Sequence, residues 1–299
     1  MARKVVIDTD PGIDDAVAIL AALASPELDV AGLTTVAGNL GIAVTTRNAG
    51  RILALAGRSD IPVIAGADRP LVRAFKDFAD IHGEGGLGAV PVPEPAVPSR
   101  SGAVSWLAAL LLREPSGSVD ILALGPLTNV ALLLRDYPAA ARRIGRVIAM
   151  GGAVREPGNV GRAEFNFAVD PEAAAAVLAA GLDLTLIPLD VTRRVRATRE
   201  HTAALAASSS VIASTAGALI DAYFQSTAGG ASRPLHDPCV MLFALRPELF
   251  GVETMPLSVS TAGDPGMLSL DPIGGSPVNV SMRVDAEGAL DLLWQRLRG

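Results

Sequence analysis

The sequence is poor in cysteine and has no long apolar run. Its single cysteine, Cys239, excludes a disulfide bond within the chain and is typical of a reducing compartment. All apolar runs are too short for a membrane span, and the first one stops at Asp8, too early for a signal peptide. We therefore expect a cytoplasmic protein that has no membrane partner.

Positive charge is also scarce, because 31 acidic residues outnumber the 25 lysines and arginines. The net charge of −6 gives no general attraction to nucleic acid, so we expect no nucleic-acid partner. Aromatic residues make up only 4% of the chain, whereas half of the residues are apolar. A core of small aliphatic side chains is typical of parallel strands packed against helices.

Short apolar runs alternate with helical patterns along most of the chain. The predicted strands include Lys4–Asp8, Val30–Val36, Val119–Leu124 and Leu184–Leu189. This alternation predicts an α/β fold with an open, mostly parallel central sheet flanked by helices. The C-terminal part is less regular and predicts small peripheral strands. Since no linker is apparent, we expect a single domain over residues 1–299.

Four carboxylates crowd the point where the first strand ends and a helix begins, namely Asp8, Asp10, Asp14 and Asp15. Two carboxylates about 5 Å apart repel each other by about 3 kcal/mol at an effective dielectric constant near 20. A hard divalent cation turns this repulsion into coordination, and a carboxylate set without paired Cys or His favours Ca²⁺ or Mg²⁺. The alternative is that these acids cap the helix and its preceding loop.

Other polar residues follow later strands, where ligands of open α/β sheets bind. Asn159, Glu164 and Asn166 lie within eight residues and could grip vicinal hydroxyl groups, or they could form a solvated loop. His236 and Asp237 open a helix, where Asp237 could ligate the metal and His236 could donate a proton. The alternative is a helix N-cap beside a surface histidine.

Several motifs occur together and in a recognisable order. They are Asp8–Ala16, Thr34–Asn39, Gly125–Asn129, Met150–Gly152, Ala163–Asn166 and His236–Cys239. With these motifs the chain resembles the inosine–uridine-preferring nucleoside hydrolases over nearly its whole length. The aspartate motif is the most specific of them. The resemblance implies an enzyme that hydrolyses the N-glycosidic bond of ribonucleosides, with a tightly bound Ca²⁺.

The resemblance also implies roles for individual residues. The implied metal ligands are Asp10, Asp15, Asp237 and the backbone carbonyl of Leu124. The implied substrate-binding residues are Asp14, Asn39, Glu164 and Asn166 at the ribose hydroxyls, Asn159 at the 5′-hydroxyl, Met150 beside the sugar and His82 at the base. Asp10 is our candidate general base and His236 our candidate acid for the leaving base. A homotetramer or homodimer is also implied.

The sequence departs from the family pattern ahead of His236. Purine-active members place a Tyr and an Arg there, whereas this chain has Phe224 and Ala228. The departure favours pyrimidine ribosides, without excluding purines, although Tyr223 or Arg233 could substitute. One alternative is a haloacid-dehalogenase-type phosphohydrolase with Asp8 as nucleophile. Another is a non-catalytic nucleoside-binding protein that kept the fold.

Overall fold

A computed structural model describes residues 2–76, 85–226 and 230–299 of the chain. Two positions discussed above, His82 and Ala228, lie outside these described residues. The predicted contact of His82 with the base is therefore not addressed by the structure. No helix within the described ranges combines the length and apolar character that a membrane crossing requires.

Twelve strands lie within the described residues, and ten of them form one sheet. In chain order they are β1 Arg3–Thr9, β2 Leu28–Thr35, β3 Val63–Ala65, β4 Arg100–Ser101, β5 Val119–Ala123, β6 Ile144–Met150, β7 Leu184–Ile187, β8 Arg196–Thr198, β9 Ser232–Pro234, β10 Phe250–Val259, β11 Leu268–Leu270 and β12 Ser276–Val284. The order across the large sheet is β11-β10-β12-β7-β6-β5-β1-β2-β3-β4. Strands β8 and β9 pair separately.

The described residues also form helices that cover both faces of the large sheet. They are α1 Ile13–Leu23, α2 Ile42–Leu55, α3 Ala103–Arg113, α4 Thr128–Asp136, α5 Pro138–Ala141, α6 Phe165–Val169, α7 Pro171–Leu178, α8 Leu189–Thr192, α9 Arg199–Ala206, α10 Val211–Ser226, α11 Pro238–Leu245 and α12 Ala286–Arg298. A short 3₁₀ helix spans Pro247–Leu249. The α/β architecture expected from the sequence is therefore confirmed.

Strand β1 lies inside the sheet and is apolar on both faces. Val5 and Ile7 pack into one hydrophobic layer, whereas Val6 packs into the layer on the opposite face. A strand that is covered on both faces reads as a continuous apolar run, as this one does. Its parallel partners β2 and β5 place Thr34 and Ala123 beside Asp8. The carboxyl ends of these strands thus meet at one edge of the sheet.

The C-terminal strands lie at one edge of the large sheet, in agreement with the expected peripheral strands, and two of them are long. Strand β10 has ten residues and β12 has nine, and β12 pairs in parallel with β7 in the main sheet. Strands β10 and β12 are antiparallel to each other. They therefore extend the central sheet, and only the three-residue strand β11 lies at this edge.

Candidate active site

The turn between β1 and α1 buries its aspartates at the carboxyl edge of the sheet. Asp15 Oδ2 accepts a hydrogen bond from the Gly12 backbone N–H at 3.0 Å, which closes the first turn of α1. Its other oxygen accepts a hydrogen bond from the Thr9 hydroxyl at 2.6 Å. Arg3 and Lys4, at the opposite end of β1, pair with Asp120 and Glu114 instead. Neither cation therefore neutralises the aspartate cluster.

Asp10 lies beside Asp15 and is 1% exposed. Its Oδ2 accepts a hydrogen bond from the Asn39 backbone N–H at 2.7 Å. The Asn39 side chain donates to Asp15 Oδ2 at 3.2 Å, so that Asn39 contacts both acids. Burial and the charge of Asp15 raise the pKa of Asp10 well above its ordinary value. The two acids are thus close enough for their charges to interact strongly.

Asp14 connects the amino-terminal turn to the segment ahead of α11. Its Oδ2 accepts hydrogen bonds from the backbone N–H groups of His236, at 2.6 Å, and Asp237, at 3.2 Å. Burial raises the pKa of Asp14 to about 7 even though these hydrogen bonds oppose the shift. Its Oδ1 is buried without a hydrogen-bond partner among the described residues. One oxygen therefore positions the chain and the other is left for a ligand.

Asp237 completes the acidic cluster from the distant segment. Burial raises its pKa well above the ordinary value, and the charges of Asp15, Asp14 and Asp10 raise it further. A side-chain hydrogen bond between Asp237 and Asp15 acts in the same direction. The structure therefore brings together the three side chains that the sequence predicts as metal ligands.

Asp8 supports this cluster from inside the sheet. Its Oδ1 accepts hydrogen bonds from the Thr34 hydroxyl at 2.5 Å and from the Asn129 amide at 2.8 Å. Burial raises its pKa to about 6 although both hydrogen bonds lower it. Asn129 also donates to the Thr35 carbonyl, which ties the start of α4 to the end of β2. Asn129, the last residue of the motif Gly125–Asn129, thus connects α4 to Asp8 and to the end of β2.

Glu164 and Asn166 lie together at the start of α6. The Glu164 carboxylate caps this helix by accepting hydrogen bonds from the backbone N–H groups of Asn166, Phe167 and Gly152. Burial raises the pKa of Glu164 to about 7. The Asn166 amide donates to the Leu124 carbonyl at 2.6 Å and to the Met150 carbonyl at 3.1 Å. It therefore joins the ends of β5 and β6.

A cavity of about 70 Å³, roughly enough for two water molecules, opens at this edge of the sheet. Its lining consists of Asp14, Asn39, Leu124, Met150, Glu164, Phe165, Asn166, Tyr223, His236 and Asp237. Eight of these ten residues are predicted site residues. Asp10 and Asp15 do not line the cavity but accept hydrogen bonds from Asn39, which does. Phe165 lies between the predicted substrate-binding residues Glu164 and Asn166 and lines the cavity, although it was not predicted as a site residue.

Asn159 is the predicted site residue that the structure places elsewhere. It is exposed, and its backbone N–H donates to the Ala163 carbonyl in a tight turn. It does not line the cavity. The predicted contact of Asn159 with the 5′-hydroxyl stays a prediction.

His236 is half-buried at the cavity, and its Nδ1 lies 2.8 Å from the Thr192 hydroxyl. Burial and the positive charges of Arg193 and Arg196 lower the pKa of His236 to about 4. The imidazole is therefore neutral near pH 7 in this arrangement. Nothing in the sequence around Thr192 indicates this contact, since 44 residues separate the two positions.

The buried carboxylate cluster has the donor atoms that a hard cation prefers. Across the described ranges, no three His, Cys, Asp or Glu side chains are arranged to hold a metal ion. The donor chemistry nevertheless suits a hard cation, because the acids are buried, repel one another and include the unpartnered Asp14 Oδ1. Asp10 accepts its hydrogen bond from Asn39 at Oδ2, which leaves Oδ1 available to a cation.

Comparison with known proteins identifies the family. Residues 5–291 match the family model described as inosine-uridine preferring nucleoside hydrolase. The chain belongs to this nucleoside hydrolase family. It is therefore an enzyme, as the resemblance predicted, and the haloacid-dehalogenase alternative loses its support.

Relatives of this nucleoside hydrolase match it from end to end. The pyrimidine-specific ribonucleoside hydrolase RihA of Citrobacter koseri is 40% identical over 99% of this chain and 98% of its own. The structure of a plant nucleoside hydrolase, PpNRh1, superimposes with a TM-score of 0.91 at 35% identity and covers 100% of both chains. A purine-preferring ribonucleoside hydrolase from Gardnerella vaginalis gives 0.93 at 28% identity, over 99% and 98% of the chains.

Proposed function

We propose that this nucleoside hydrolase uses Ca²⁺ to cleave the N-glycosidic bond of pyrimidine ribonucleosides, giving ribose and the free base. The observation that carries the proposal is the buried carboxylate cluster of Asp10, Asp14, Asp15 and Asp237 beside a small polar cavity. Such a concentration of negative charge is costly for the folded protein, and a ligand that carries positive charge offsets that cost.

The reaction itself supplies positive charge. Glycoside hydrolysis passes through an oxocarbenium-like transition state in which positive charge develops on the sugar ring. Preorganised carboxylates in a water-poor pocket stabilise that charge more than they stabilise the neutral substrate. We assign proton abstraction from the attacking water to Asp10, and contacts with the ribose hydroxyls to Asp14, Asn39, Glu164 and Asn166.

Glu164 and Asn166 are suited to binding the ribose hydroxyls in different ways. Glu164 is committed to three backbone N–H groups, so that its carboxylate is rigidly placed at the cavity. Asn166 is fixed by the Leu124 and Met150 carbonyls, which leaves its amide oxygen to accept a hydrogen bond from a hydroxyl group. Both residues line the same cavity as Asp14 and supply hydrogen-bond acceptors there.

Asp10, Asp15, Asp237 and the Leu124 carbonyl would hold the Ca²⁺. When bound, the cation lowers the pKa of a water molecule and orients the ribose hydroxyls. The preference for Ca²⁺ over Zn²⁺ rests on the ligand type, since this set consists of oxygen atoms.

The pyrimidine preference rests on the segment ahead of His236. Phe224 is 4% exposed, and the guanidinium groups of Arg199 and Arg233 lie 4.8 and 5.8 Å from its ring centre. Because it does not line the cavity, it does not replace the tyrosine of purine-active members. Tyr223 does line the cavity, where the charges of Asp14 and Asp237, together with burial, raise its pKa. The name of the Citrobacter koseri relative agrees with this preference.

An assay of ribose release tests the substrate class. We expect hydrolysis of uridine and cytidine, weaker hydrolysis of inosine, and loss of activity on 2′-deoxyuridine because the hydroxyl contacts are gone. Binding of uridine without ribose release would instead indicate the non-catalytic alternative.

Removal of the metal tests the cofactor. Dialysis against a chelator is expected to abolish uridine hydrolysis, and added Ca²⁺ should restore it, as followed by ribose release. Full activity of a preparation shown by elemental analysis to be metal-free would contradict the assignment.

We also propose a cytoplasmic location, which the scarcity of cysteine supports. The family resemblance supports a homotetramer or homodimer, which light scattering on the purified protein would distinguish from a monomer.

A further inference from the structure

Thr192 contacts the candidate acid His236 from a rigid position. It ends the single-turn helix α8, where its backbone N–H donates to the Pro188 carbonyl at 3.1 Å. The same helix carries Asp190, whose carboxylate accepts backbone hydrogen bonds from Val154 and Arg155 at 2.8 and 2.7 Å. These contacts fix the helix that carries Thr192, and Thr192 itself is 0% exposed.

The hydrogen bond between Thr192 and His236 has a preferred direction, from the hydroxyl group to Nδ1. A threonine hydroxyl carries one proton, and among the described residues His236 Nδ1 is the partner shown for it. If Nδ1–H were the donor, the buried hydroxyl proton would lack an acceptor, which is unfavourable for a buried polar group. Donation from the hydroxyl to Nδ1 satisfies both groups. It requires Nδ1 to be unprotonated, so that the single imidazole proton resides on Nε2.

The backbone N–H of His236 donates to Asp14 Oδ2 at 2.6 Å, while its imidazole ring contacts Thr192. With Nδ1 turned toward Thr192, Nε2 is the ring nitrogen left for the cavity that His236 lines.

We propose that Thr192 is a positioning residue that holds His236 as its neutral, Nε2-protonated tautomer. The Nε2–H group can then donate a hydrogen bond into the cavity, to an acceptor atom of the leaving base such as the O2 carbonyl of a pyrimidine. This inference deepens the proposed function and rests on it for the identity of the acceptor. The position of the proton on the ring does not depend on the substrate.

Nitrogen NMR of the imidazole rings tests the tautomer directly. The chain has only three histidines, so that His82→Gln and His201→Gln variants assign the His236 signals. In the wild type we expect a protonated Nε2 and an unprotonated Nδ1. A wild-type spectrum with the proton on Nδ1 would overturn the proposal, whether or not any variant folds.

A pair of substitutions tests the role of the hydroxyl. Thr192→Val keeps the shape and removes the donor, and we expect a mixture of tautomers and a kcat on uridine roughly 10–100-fold lower, with little change in KM. Thr192→Ser keeps the donor and should retain both the Nε2–H signal and most of kcat. Thr202→Val is the matched control, because this buried threonine donates to the Arg199 carbonyl and does not line the cavity.

The outcomes separate this inference from the proposed function. An unchanged tautomer and kcat in Thr192→Val would refute the positioning role while leaving the nucleoside hydrolase intact. Equal losses in the Val and Ser variants would show that the site needs threonine for packing rather than for donation. A wild type that releases no ribose from any nucleoside would remove the function, and the NMR experiment would still report the tautomer.

Discussion

At the scale of single residues, Asp10 occupies space that two glycines leave open. A Cβ atom at position 38 would lie 2.1 Å from Asp10 Oδ2, and one at position 125 would lie 2.3 Å from Oδ1. Both distances are far below a van der Waals contact. Gly38 and Gly125 therefore admit the carboxylate between the loops that follow β2 and β5.

Gly38→Ala is expected to displace the Asp10 carboxylate and to lower kcat/KM on uridine on the order of 100-fold, because misplacing a reacting group by about 1 Å has effects of this size. Steady-state assays measure this loss. Gly85→Ala is the control, since nothing lies within 4 Å of a Cβ atom there. Wild-type activity of the Gly38 variant would show that Asp10 tolerates displacement.

Asp10→Asn is expected to keep the fold and to lower uridine turnover by roughly 10²–10⁴-fold, as loss of a general base does. In chelator its melting temperature should equal or exceed that of the wild type, because a buried carboxylate near Asp15 is replaced by a neutral amide. Ribose release and thermal unfolding measure the two effects. Asp29→Asn, at an exposed position, is the control. Retained turnover would exclude Asp10 as the base.

The motifs in the sequence predicted most of the residues that line the cavity, whereas the roles of these residues stay predictions. The crowded aspartates and the pair His236-Asp237 were recognisable because few other uses explain them. Two details were not accessible. Glu164 acts as a helix cap, which depends on where a five-residue helix begins. Thr192 approaches His236 only through the fold, so that no local pattern marks it.

At the scale of elements, strands were predictable wherever burial on both faces makes them continuously apolar. The predicted strand Leu184–Leu189 shows the limit of that rule. It ends in the structure at Ile187, because Pro188 has no N–H for the ladder and instead precedes α8. Hydropathy does not distinguish a buried strand from the buried first turn of a helix.

The opposite ends of the strands hold an ion-pair cluster that supports stability. Asp120 in β5 accepts hydrogen bonds from Arg3 in β1, at 2.9 Å, and from Arg146 in β6, at 2.9 and 3.0 Å. Burial alone would raise the pKa of Asp120, but the two arginines outweigh it, and the net pKa lies below the ordinary value of 3.8. The cluster joins three neighbouring strands at their amino-terminal ends.

Asp120→Asn is expected to lower the free energy of unfolding by roughly 2–3 kcal/mol at pH 7. Because the folded-state pKa is depressed, the stabilisation is complete above the unfolded pKa of 3.8 and is lost as the pH falls through the folded pKa. Urea unfolding from pH 7 to pH 2 measures this dependence.

Asp136→Asn breaks an exposed pair with Arg135 and serves as the comparison, for which we expect little change at any pH. A difference between wild type and Asp120→Asn that persists unchanged at pH 2 would show that the effect does not come from ionisation.

At the scale of the whole molecule, the order of the strands in the sheet could not be predicted from the sequence. Strand β1 lies between β2 and β5, and β12 returns from the end of the chain to pair with β7. Such pairings depend on packing between segments far apart in the chain rather than on local preference. The expectation of a mostly parallel sheet was correct, whereas the integration of β10 and β12 into it was not foreseen.

The hydrogen bonds from His236 and Asp237 to Asp14 span 222 and 223 residues. A polypeptide still emerging from the ribosome has already exposed its amino-terminal acids but not the segment that completes their pocket. A fragment that stops before His236 therefore lacks the two backbone N–H groups that hold the Asp14 carboxylate, so that the pocket can close only once this late segment has been synthesised.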